Sequence, residues 1–471
     1  MSGATVCSRV LATIGIACLC MASAGTVQAQ TNVVGQWNIV TVLPYVPINN
    51  STLPNGKVLM WPGDRGLSGD DPRLYDPITQ NLALVGKSGY DLFCSGLSFL
   101  ADGNLFVAGG HIQNGVGLPK ASIYNATTNS WSAVPDMNAG RWYPTVTTLP
   151  DGNALVVSGD VDLNVGTNKM PQVYQTATNS WRNLTNAQLA LDYYPFMFVA
   201  PNGKVINVGP TPVTRYLDTS GTGAWSFVAN RLYGDRNYGS AVMFDTGKIL
   251  VMGGGLPPTN HAELIDLNKP DLQWRQVQRM KIARRLLNAT ILADGTVLAT
   301  GGSSGDGFNN EDAWVAPAEL WSPETEQWTT MASSTVPRIY HSSTVLLQDG
   351  RVLSLGGNNY PETEIFSPPY LFKGARPVIQ SAPETIAYGQ QFSVNTAEAA
   401  GISKITLIRL SSSTHGFNAN QRMNKLSFYR IPGSVGVAAP ANANLAPPGH
   451  YLLFILNADG VPSVGKVVKL G

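Results

Sequence analysis

A short turn sequence recurs seven times along this 471-residue chain, and it constrains the fold more than any other feature. Each copy places an Asp-Gly, Asn-Gly or Thr-Gly pair before an apolar stretch, and several copies then run into a Gly-Gly pair. Asp-Gly and Asn-Gly supply the positive φ that a two-residue hairpin turn requires, so we expect each copy to begin a β-hairpin. The turn glycines follow one another at intervals of 44 to 55 residues: Gly56, Gly103, Gly152, Gly203, Gly247, Gly295 and Gly350.

Tryptophan-containing strands close several of these repeats, at Trp131, Trp181, Trp225, Trp274 and Trp328. Four short strands per repeat, seven times over, predict an all-β fold, a seven-bladed kelch-type β-propeller. The seventh repeat lacks its tryptophan strand, whereas Gly35-Gln36-Trp37-Asn38 precedes the first turn. We therefore expect this N-terminal strand to complete the last blade and close the ring, which removes the open sheet edges.

The pattern changes after Pro368-Pro369-Tyr370-Leu371. Shorter alternating strands and frequent turn residues follow, with the size and rhythm of an immunoglobulin-like β-sandwich. We predict a propeller over residues 30–370 and a C-terminal sandwich domain over residues 371–471.

The first 29 residues have the features of a signal peptide. Arg9 precedes an apolar stretch from Val10 to about Ala24, and small residues lead to a cleavage site after Ala29. A membrane anchor is the alternative, but the apolar run is shorter than the roughly 20 residues that a span needs. We predict a secreted or periplasmic protein.

Charge excludes some partners. Charged residues make up 13% of the chain, the formal net charge is +1, and no dense Lys/Arg run is present. The electrostatic footprint of a protein that binds nucleic acid or acidic lipid is therefore missing. We expect a monomer that takes neither nucleic acid nor a membrane as a partner.

One cysteine remains once the signal peptide is removed. Cys7, Cys18 and Cys20 lie within residues 1–29, which leaves Cys94 alone. An exported chain with one cysteine cannot form an internal disulfide. Cys94 is therefore either a buried apolar filler or a residue whose chemistry needs a single sulfur.

Metal-ligand candidates are few, because the chain has only five histidines. Tyr340-His341 precedes the strand that leads to the seventh turn, and His415 lies in the C-terminal domain. Two imidazoles with phenolates suit a borderline metal such as Cu(II). Adjacent strand residues face opposite sides, so Tyr340 and His341 can share a metal only at a strand end or bulge. The spacing alone leaves a metal site and ordinary structural histidines both open.

Five motifs in order across the two domains resemble the galactose oxidase and glyoxal oxidase family of copper radical oxidases. The resemblance extends from about Gly35 to the C-terminus and is closer to the glyoxal oxidase branch. Its motifs are DLFCSG at 91–96, GRWYP at 140–144, RIYHS at 338–342, TH at 414–415, and PPGHYLLF at 447–454 with GVPSV at 460–464.

The resemblance implies a site and a reaction. Cys94 would be joined through sulfur to the ring of Tyr143, and Tyr143, Tyr340, His341 and His415 would bind one copper ion. Tyr340 would act as general base, and a Tyr143 radical with copper would oxidise small aldehydes or primary alcohols. O2 would reoxidise the site and leave as H2O2. The lone cysteine would then have a chemical purpose.

Some residues depart from galactose oxidase. No aromatic residue stands in Ser158-Gly159-Asp160-Val161-Asp162, where that enzyme has a tryptophan over the thioether, so Trp142 or Tyr193-Tyr194 are the candidates to shield the radical. No arginine occurs in residues 189–195, near the family's sugar-binding one, so galactose is doubtful. Arg141 and Trp142 are candidate substrate-binding residues. For Arg141 the alternative is that it satisfies carbonyls within a blade.

A hypothesis from another class is a non-catalytic kelch propeller that binds glycan or protein, because propellers commonly serve as binding modules. Such a module would need none of the five residues that the resemblance singles out. H2O2 release with a substrate panel after copper loading discriminates the two.

Overall fold

The computed structural model describes residues 30–63 and 68–471, and nearly all of them lie in β-strands or the turns between them. The predicted signal peptide, residues 1–29, lies outside the described residues. None of the helices within the described ranges is long and apolar enough to span a membrane. Helical structure is limited to residues 30–34 and three 3-10 turns, Glu311–Ala313, Pro369–Phe372 and Ala399–Gly401.

Seven antiparallel sheets follow one another between residues 36 and 367 of the described chain, and each is built on four strands. We number them in chain order. Sheet 1 contains Pro47–Thr52, Val58–Pro62, Arg73–Tyr75 and Leu82–Leu84. Sheet 2 contains Gly96–Phe99, Leu105–Ala108, Ala121–Asn125 and Ser130–Val134. Sheet 3 contains Thr145–Thr148, Ala154–Val157, Gln172–Gln175 and Ser180–Asn183. Sheet 4 contains Met197–Val199, Val205–Asn207, Val213–Asp218 and Ala224–Asn230.

The remaining three sheets have the same design. Sheet 5 contains Ser240–Asp245, Lys248–Met252, Ala262–Asp266 and Trp274–Gln276. Sheet 6 contains Arg285–Ile291, Val297–Ser303, Pro317–Trp321 and Trp328–Ser333. Sheet 7 contains Ser342–Leu346, Val352–Gly356, Glu362–Ser367 and, from the N-terminus, Gln36–Val42. Two small hairpins project from sheets 2 and 3: His111–Gln113 with Val116–Gly117, and Asp160–Asp162 with Gly166–Thr167.

The recurring turns lie between the first two strands of each sheet, as predicted, but the type of six of them differs from the prediction. In the fifth, Asp245 pairs with Lys248 across two residues. In the first turn the Leu53 amide donates to the Lys57 carbonyl at 2.8 Å, so three residues form the loop rather than two. Gly56 has φ +81°, whereas Asn55 does not have a positive φ. Three-residue hairpin loops place one left-handed residue after an ordinary turn, so only the glycine needs the special conformation.

The expected N-terminal strand is confirmed. Gln36–Val42 pairs antiparallel with Glu362–Ser367 and supplies the fourth strand of sheet 7. Trp37 contacts the ring of Phe366, with centroids 5.0 Å apart, and its indole nitrogen donates to the Ala332 carbonyl in sheet 6 at 2.9 Å. The strand therefore ties sheet 7 to the sheet before it.

Consecutive sheets pack face to face. The tryptophans of the outer strands connect neighbouring sheets. The indole nitrogens of Trp181, Trp225 and Trp328 each donate to a carbonyl that lies one to four residues after the end of the preceding sheet. Sheet 7 also packs against sheet 1, through a shared apolar cluster that includes Tyr45, Met60, Val345 and Leu353. The first and last sheets are therefore neighbours.

The C-terminal residues form two further sheets around a core of their own. Residues such as Val394, Val437, Leu407 and Leu453 alternate inward from both sheets into this core. Two facing sheets with a shared apolar core make a β-sandwich. One sheet contains Thr385–Ile386, Ile402–Arg409, Met423–Lys425, Gly449–Asn457 and Lys466–Leu470, and the other contains Gln391–Asn395, Phe428–Ile431 and Ser434–Ala438.

One hairpin of the C-terminal part joins sheet 1. Ser412–Thr414 pairs with the first strand of that sheet, with Ser413 opposite Asn50, and Phe417–Asn418 continues the sheet outward. The two residues at its tip are His415 and Gly416, with φ values of +49° and +81°. Two consecutive positive φ values are typical of the type I′ turn that a two-residue hairpin favours. This hairpin delivers His415 to the first strands of the other sheets.

Candidate active site

The site is built where several sheets begin their first strand. Cys94, Tyr143, Tyr194, Tyr238 and His341 each come one to three residues before that strand, and each has a positive φ between +43° and +70°. Non-glycine residues rarely adopt this conformation, and it clusters at functional sites where the surrounding structure enforces it. Here it turns one side chain per sheet towards a common point.

Backbone hydrogen bonds connect these positions from sheet to sheet. The Tyr143 amide donates to the Cys94 carbonyl at 2.9 Å, and the Tyr194 amide donates to the Tyr143 carbonyl at 3.0 Å. The glycine pairs of the repeats allow this approach, because a Cβ on Gly109 would lie 2.4 Å from the Arg141 carbonyl oxygen of the next sheet. The backbone therefore fixes Tyr143 directly beside Cys94.

The four predicted ligands converge. The hydroxyl oxygens of Tyr143 and Tyr340 are 2.5 Å apart. The His415 ring centroid lies 4.5 Å from that of Tyr143 and 4.8 Å from that of His341. The Tyr340 and His341 rings stack with centroids 3.8 Å apart, although the residues are adjacent in sequence. Both precede Ser342–Leu346, so they meet at a strand end.

Burial shifts the pKa values of Tyr143 and His415. Burial raises the pKa of Tyr143 well above its ordinary value, and Cys94, Tyr340 and Tyr194 raise it further. Burial, with His341 close by, holds the pKa of His415 well below its ordinary value. The imidazole of His415 is therefore neutral at pH 7, which is the form that binds metals.

His415 is oriented by its neighbour. The Thr414 hydroxyl and His415 Nδ1 are hydrogen-bonded at 2.7 Å, which leaves Nε2 for another partner. Nε2 is buried and has no hydrogen-bond partner among the described residues. A hydrogen bond at one ring nitrogen and an open second nitrogen is the usual arrangement of a metal-binding histidine.

A metal ion at this site would need phenol oxygens as well as imidazole nitrogens as ligands. Within residues 30–63 and 68–471, no three His, Cys, Asp or Glu side chains come together as a metal site. The phenols of Tyr143 and Tyr340 must therefore contribute to any metal centre here. Two imidazoles and two phenol oxygens suit Cu(II), and a bound cation would lower the cost of removing a phenol proton.

Trp142 lies over Tyr143. Their ring centroids are 3.7 Å apart and their planes differ by 7°. The Trp142 indole nitrogen donates to His111 Nδ1 at 3.2 Å, and its backbone exchanges two hydrogen bonds of 2.8 Å with Asp160. Tyr193 meets the edge of the Trp142 ring at 5.1 Å. Of the candidates to cover Tyr143, Trp142 is the one that stacks in parallel on its ring.

Arg141 does not lie where a substrate-binding residue would. Its side chain is fully buried, and its guanidinium donates to the carbonyls of Ser158 and Met170 at 2.8 and 2.5 Å and to Gln172 Oε1 at 3.2 Å. These partners belong to sheet 3 or its connections. We therefore assign Arg141 to the interior of the blade rather than to a substrate-binding surface.

A cavity of about 590 Å³ opens beside the site. Neither Arg141 nor Trp142 lines it, so the expectation that both bind substrate is not met by this cavity. Tyr238, which lies in its wall, contacts Tyr340 edge-on at 5.9 Å. The wall also includes Asp192, Tyr193, Asp235, Arg285 and His415. No sequence motif marks Asp192, Asp235 or Arg285, whereas Tyr238 could be found from its place before the first strand of the fifth repeat.

Comparison with known proteins identifies the class. Residues 74–211 and 255–370 match the family described as glyoxal oxidase N-terminus, and residues 376–470 match the galactose oxidase-like, Early set domain. A galactose oxidase of Gibberella zeae is 30% identical over 93% of this chain and 70% of its own length. An aldehyde oxidase (GLOX) of Vitis pseudoreticulata is 29% identical over 81% of this chain and 82% of its own.

Structural similarity agrees with the sequence matches. A fungal alcohol oxidase of the AA5 family, solved in complex with copper, superimposes with a TM-score of 0.85 at 27% identity. The alignment covers 93% of this chain and 99% of that one. The chain belongs to the galactose oxidase and glyoxal oxidase family of copper radical oxidases. It is a copper oxidoreductase, and its nearly all-β structure is consistent with the propeller and β-sandwich of that family.

Proposed function

We propose that this protein oxidises small aldehydes or primary alcohols with O2 and releases H2O2, using one copper ion and a thioether between Cys94 and Tyr143. The observation that carries the proposal is the 2.5 Å contact between the Tyr143 and Tyr340 hydroxyl oxygens, with two imidazoles beside it. A structural role alone gives no reason to bring two phenols and two imidazoles together at one point.

Tyr143, Tyr340, His341 and His415 would hold the copper. When bound, copper would provide a one-electron acceptor and a position for the substrate oxygen. The Tyr143 phenoxyl would supply the second oxidising equivalent. An alcohol loses two hydrogens to become a carbonyl while O2 gains both as H2O2, and a hydrated aldehyde becomes a carboxylic acid in the same way.

Tyr340 would accept the proton of the substrate hydroxyl, and Tyr143 would accept the hydrogen of the substrate carbon. Tyr340 Oη suits the first role, because it faces the reacting position and Tyr143. Cys94 is fully buried in one apolar cluster with Tyr143, which suits a sulfur that bonds to the phenol ring and shares its unpaired spin.

Trp142 would protect the oxidised phenol. Its indole covers one face of the Tyr143 ring, and Tyr194 lies 4.7 Å from that ring in a stacked arrangement. Together they would keep water and other reductants from the radical. The cavity beside His415 is large enough for a small organic substrate.

The architecture and location are part of the same proposal. The seven four-stranded sheets would be seven blades of one closed ring, over residues 30–370, with the sandwich over residues 371–471. Contact between sheets 7 and 1, and the pairing of Gln36–Val42 in sheet 7, support this ring. Residues 1–29 would be removed on export, so the enzyme would act as a monomer outside the cell or in the periplasm.

H2O2 release by the copper-loaded protein tests the function. We expect H2O2 from small aldehydes or primary alcohols, little from galactose, and none from the copper-free protein. Tyr340→Phe should lower kcat/KM by about 10²- to 10⁴-fold, the usual contribution of a general base. Tyr429→Phe, at an exposed tyrosine of the sandwich, is the matched control. Silence with every substrate, together with tight glycan binding, would instead support a non-catalytic binding module.

A further inference from the structure

Arg285 occupies an unusual position in the cavity wall. It begins the first strand of sheet 6, is 3% exposed and lines the 590 Å³ cavity. Its guanidinium carbon lies 5.3 Å from the ring centroid of Tyr238 and 5.5 Å from that of Phe308. The charged group is thus held between two aromatic rings and cannot swing freely into solvent.

The polar groups of Arg285 are incompletely satisfied. One terminal nitrogen donates to the Gly307 carbonyl at 3.0 Å, while Nε is buried and has no hydrogen-bond partner among the described residues. No carboxylate of residues 30–63 or 68–471 forms an ion pair with it. Burial lowers the pKa of Arg285, because the cation loses its hydration there.

The neighbouring arginine, Arg284, differs from Arg285 because it has a carboxylate partner within the blade. Arg284 is fully buried too, but it pairs with Glu319 at 2.7 Å and donates to two carbonyls. Arg236 pairs in the same way with Glu263 at 2.8 Å. A buried cation that lacks both a counterion and a full set of hydrogen bonds is costly. Arg285 has a single carbonyl partner and no carboxylate, and it lines the cavity, where a ligand could supply the missing contacts.

Arg285 is also close to the reacting group. Phe308 and Tyr238, the rings that hold its guanidinium, both contact the Tyr340 ring, with centroids 4.7 and 5.9 Å away. The guanidinium therefore lies one aromatic layer from the phenol proposed as general base. An acceptor close to the reacting carbon of a bound substrate would therefore lie on the side of the cavity where Arg285 is held.

We propose that Arg285 is a specificity-determining residue that binds a carboxylate of the substrate, so that the preferred substrates are small aldehydes or alcohols that carry a carboxylate. The inference rests on the proposed function and names its substrate class. Guanidinium binds carboxylate through charge-assisted hydrogen bonds. The donor left for it is the second terminal nitrogen of Arg285, because only the first one donates to a carbonyl of the described residues.

Two aspartates in the same cavity bear on the charge of the preferred substrate. Asp192 and Asp235 also line it, and burial with the nearby Asp235 raises the pKa of Asp192. Neither forms an ion pair with Arg285, so they do not supply its missing anion. A second carboxylate on the substrate would face these two carboxyl groups, which makes a monoanion the expected ligand.

The kinetic test compares substrates matched in size. Copper-loaded protein is assayed for H2O2 release with glyoxylate against acetaldehyde, and with succinate semialdehyde against butanal. We expect Arg285→Met to raise KM for at least one of the two acids by at least about tenfold, the worth of a charge-assisted hydrogen bond, and to leave KM for the neutral aldehydes nearly unchanged. Arg285→Lys should recover part of the loss. Arg279→Met, which removes an exposed charge outside the cavity, is the matched control.

Equal shifts for acids and neutral aldehydes, or no shift for either acid, would overturn the assignment. Arg285→Met removes an unpaired buried charge, so we expect the variant to fold with an unchanged or higher Tm.

A second measurement separates this inference from the proposed function. Propionate binding to the copper-free protein is followed by calorimetry, which requires no catalysis. Binding by the wild-type chain and by Arg279→Met, with loss in Arg285→Met, supports an anion site at Arg285 even if no substrate is turned over. Absence of binding, or equal binding by all three proteins, contradicts it. Failure of H2O2 release with every substrate counts only against the oxidase proposal.

Discussion

The indole of Trp142 lies parallel to the phenol of Tyr143, with ring centroids 3.7 Å apart and 7° between their planes. The two residues are neighbours in sequence, so the shield and the ring that it covers come from one segment. His111 and Asp160 hold this segment from two different hairpins. In the proposed site, Trp142 would take the place of the aromatic residue that is missing from residues 158–162.

Replacing Trp142 should shorten the lifetime of the oxidised protein. In Trp142→Leu the phenol ring loses its stacked cover, whereas Trp142→Phe keeps a smaller ring in place. We expect the radical, followed by its absorbance and by electron paramagnetic resonance, to decay fastest in the Leu variant and at an intermediate rate in the Phe variant. Aromatic stacking contributes about 0.5–1.5 kcal/mol, so the lifetimes should differ by roughly threefold or more. Equal lifetimes in all three proteins would contradict the role of Trp142.

Thr414→Val should weaken copper binding. The change removes the hydroxyl that is hydrogen-bonded to His415 Nδ1 and frees the imidazole to rotate. Loss of such a supporting hydrogen bond lowers metal affinity by about 10- to 100-fold. Competition with a chelator measures the affinity directly. Thr406→Val, at a buried hydroxyl that donates to Ala293 away from the site, is the control and should bind copper normally.

Arg141→Met should destabilise the protein without a selective effect on substrate binding. The substitution leaves the carbonyls of Ser158 and Met170 without their buried donor. Each orphaned acceptor costs about 1–3 kcal/mol of the free energy of unfolding, so a loss of several kcal/mol is expected in denaturant titrations. Unchanged stability with a raised KM would restore the substrate-binding role.

Acid should destabilise the copper-free protein through His415. Its pKa is lowered in the folded state, so below about pH 6.5 the unfolded chain takes up a proton that the folded chain does not. Stability contributed in this way is present above that pH and is lost as the pH falls, by up to about 1.4 kcal/mol per pH unit. Denaturant titrations between pH 7 and 5 should show a shallower decline in His415→Gln. An identical slope in the two proteins would show that His415 titrates normally.

Much of the fold follows from local sequence. Gly103, Gly152 and the other turn glycines mark the first hairpin of every sheet, because few other residues adopt their conformation. The pairing of Trp37 with the last sheet also follows, since the seventh repeat lacks its own closing strand. The turn type does not follow from the sequence. Asp-Gly and Asn-Gly pairs suit both two- and three-residue loops, and the surrounding sheet selects between them.

The site is less accessible to sequence reasoning. Tyr340 and His341 come together because His341 has a left-handed backbone before the strand, which no spacing rule predicts. Arg284 and Arg285 look alike in sequence, yet one points into the blade towards Glu319 and the other lines the cavity. Glu319, on the third strand of sheet 6, pairs with Arg284 and not with Arg285, and the sequence does not show which of the two arginines it reaches.

The intact mass of the mature protein tests the central claim most directly. The protein is produced without copper and then incubated with copper and O2. Formation of the thioether removes two hydrogens, so we expect a loss of about two mass units that is absent in Cys94→Ala and in Tyr143→Phe. An unchanged mass, with Cys94 still open to alkylation after unfolding, would contradict the radical mechanism in this chain.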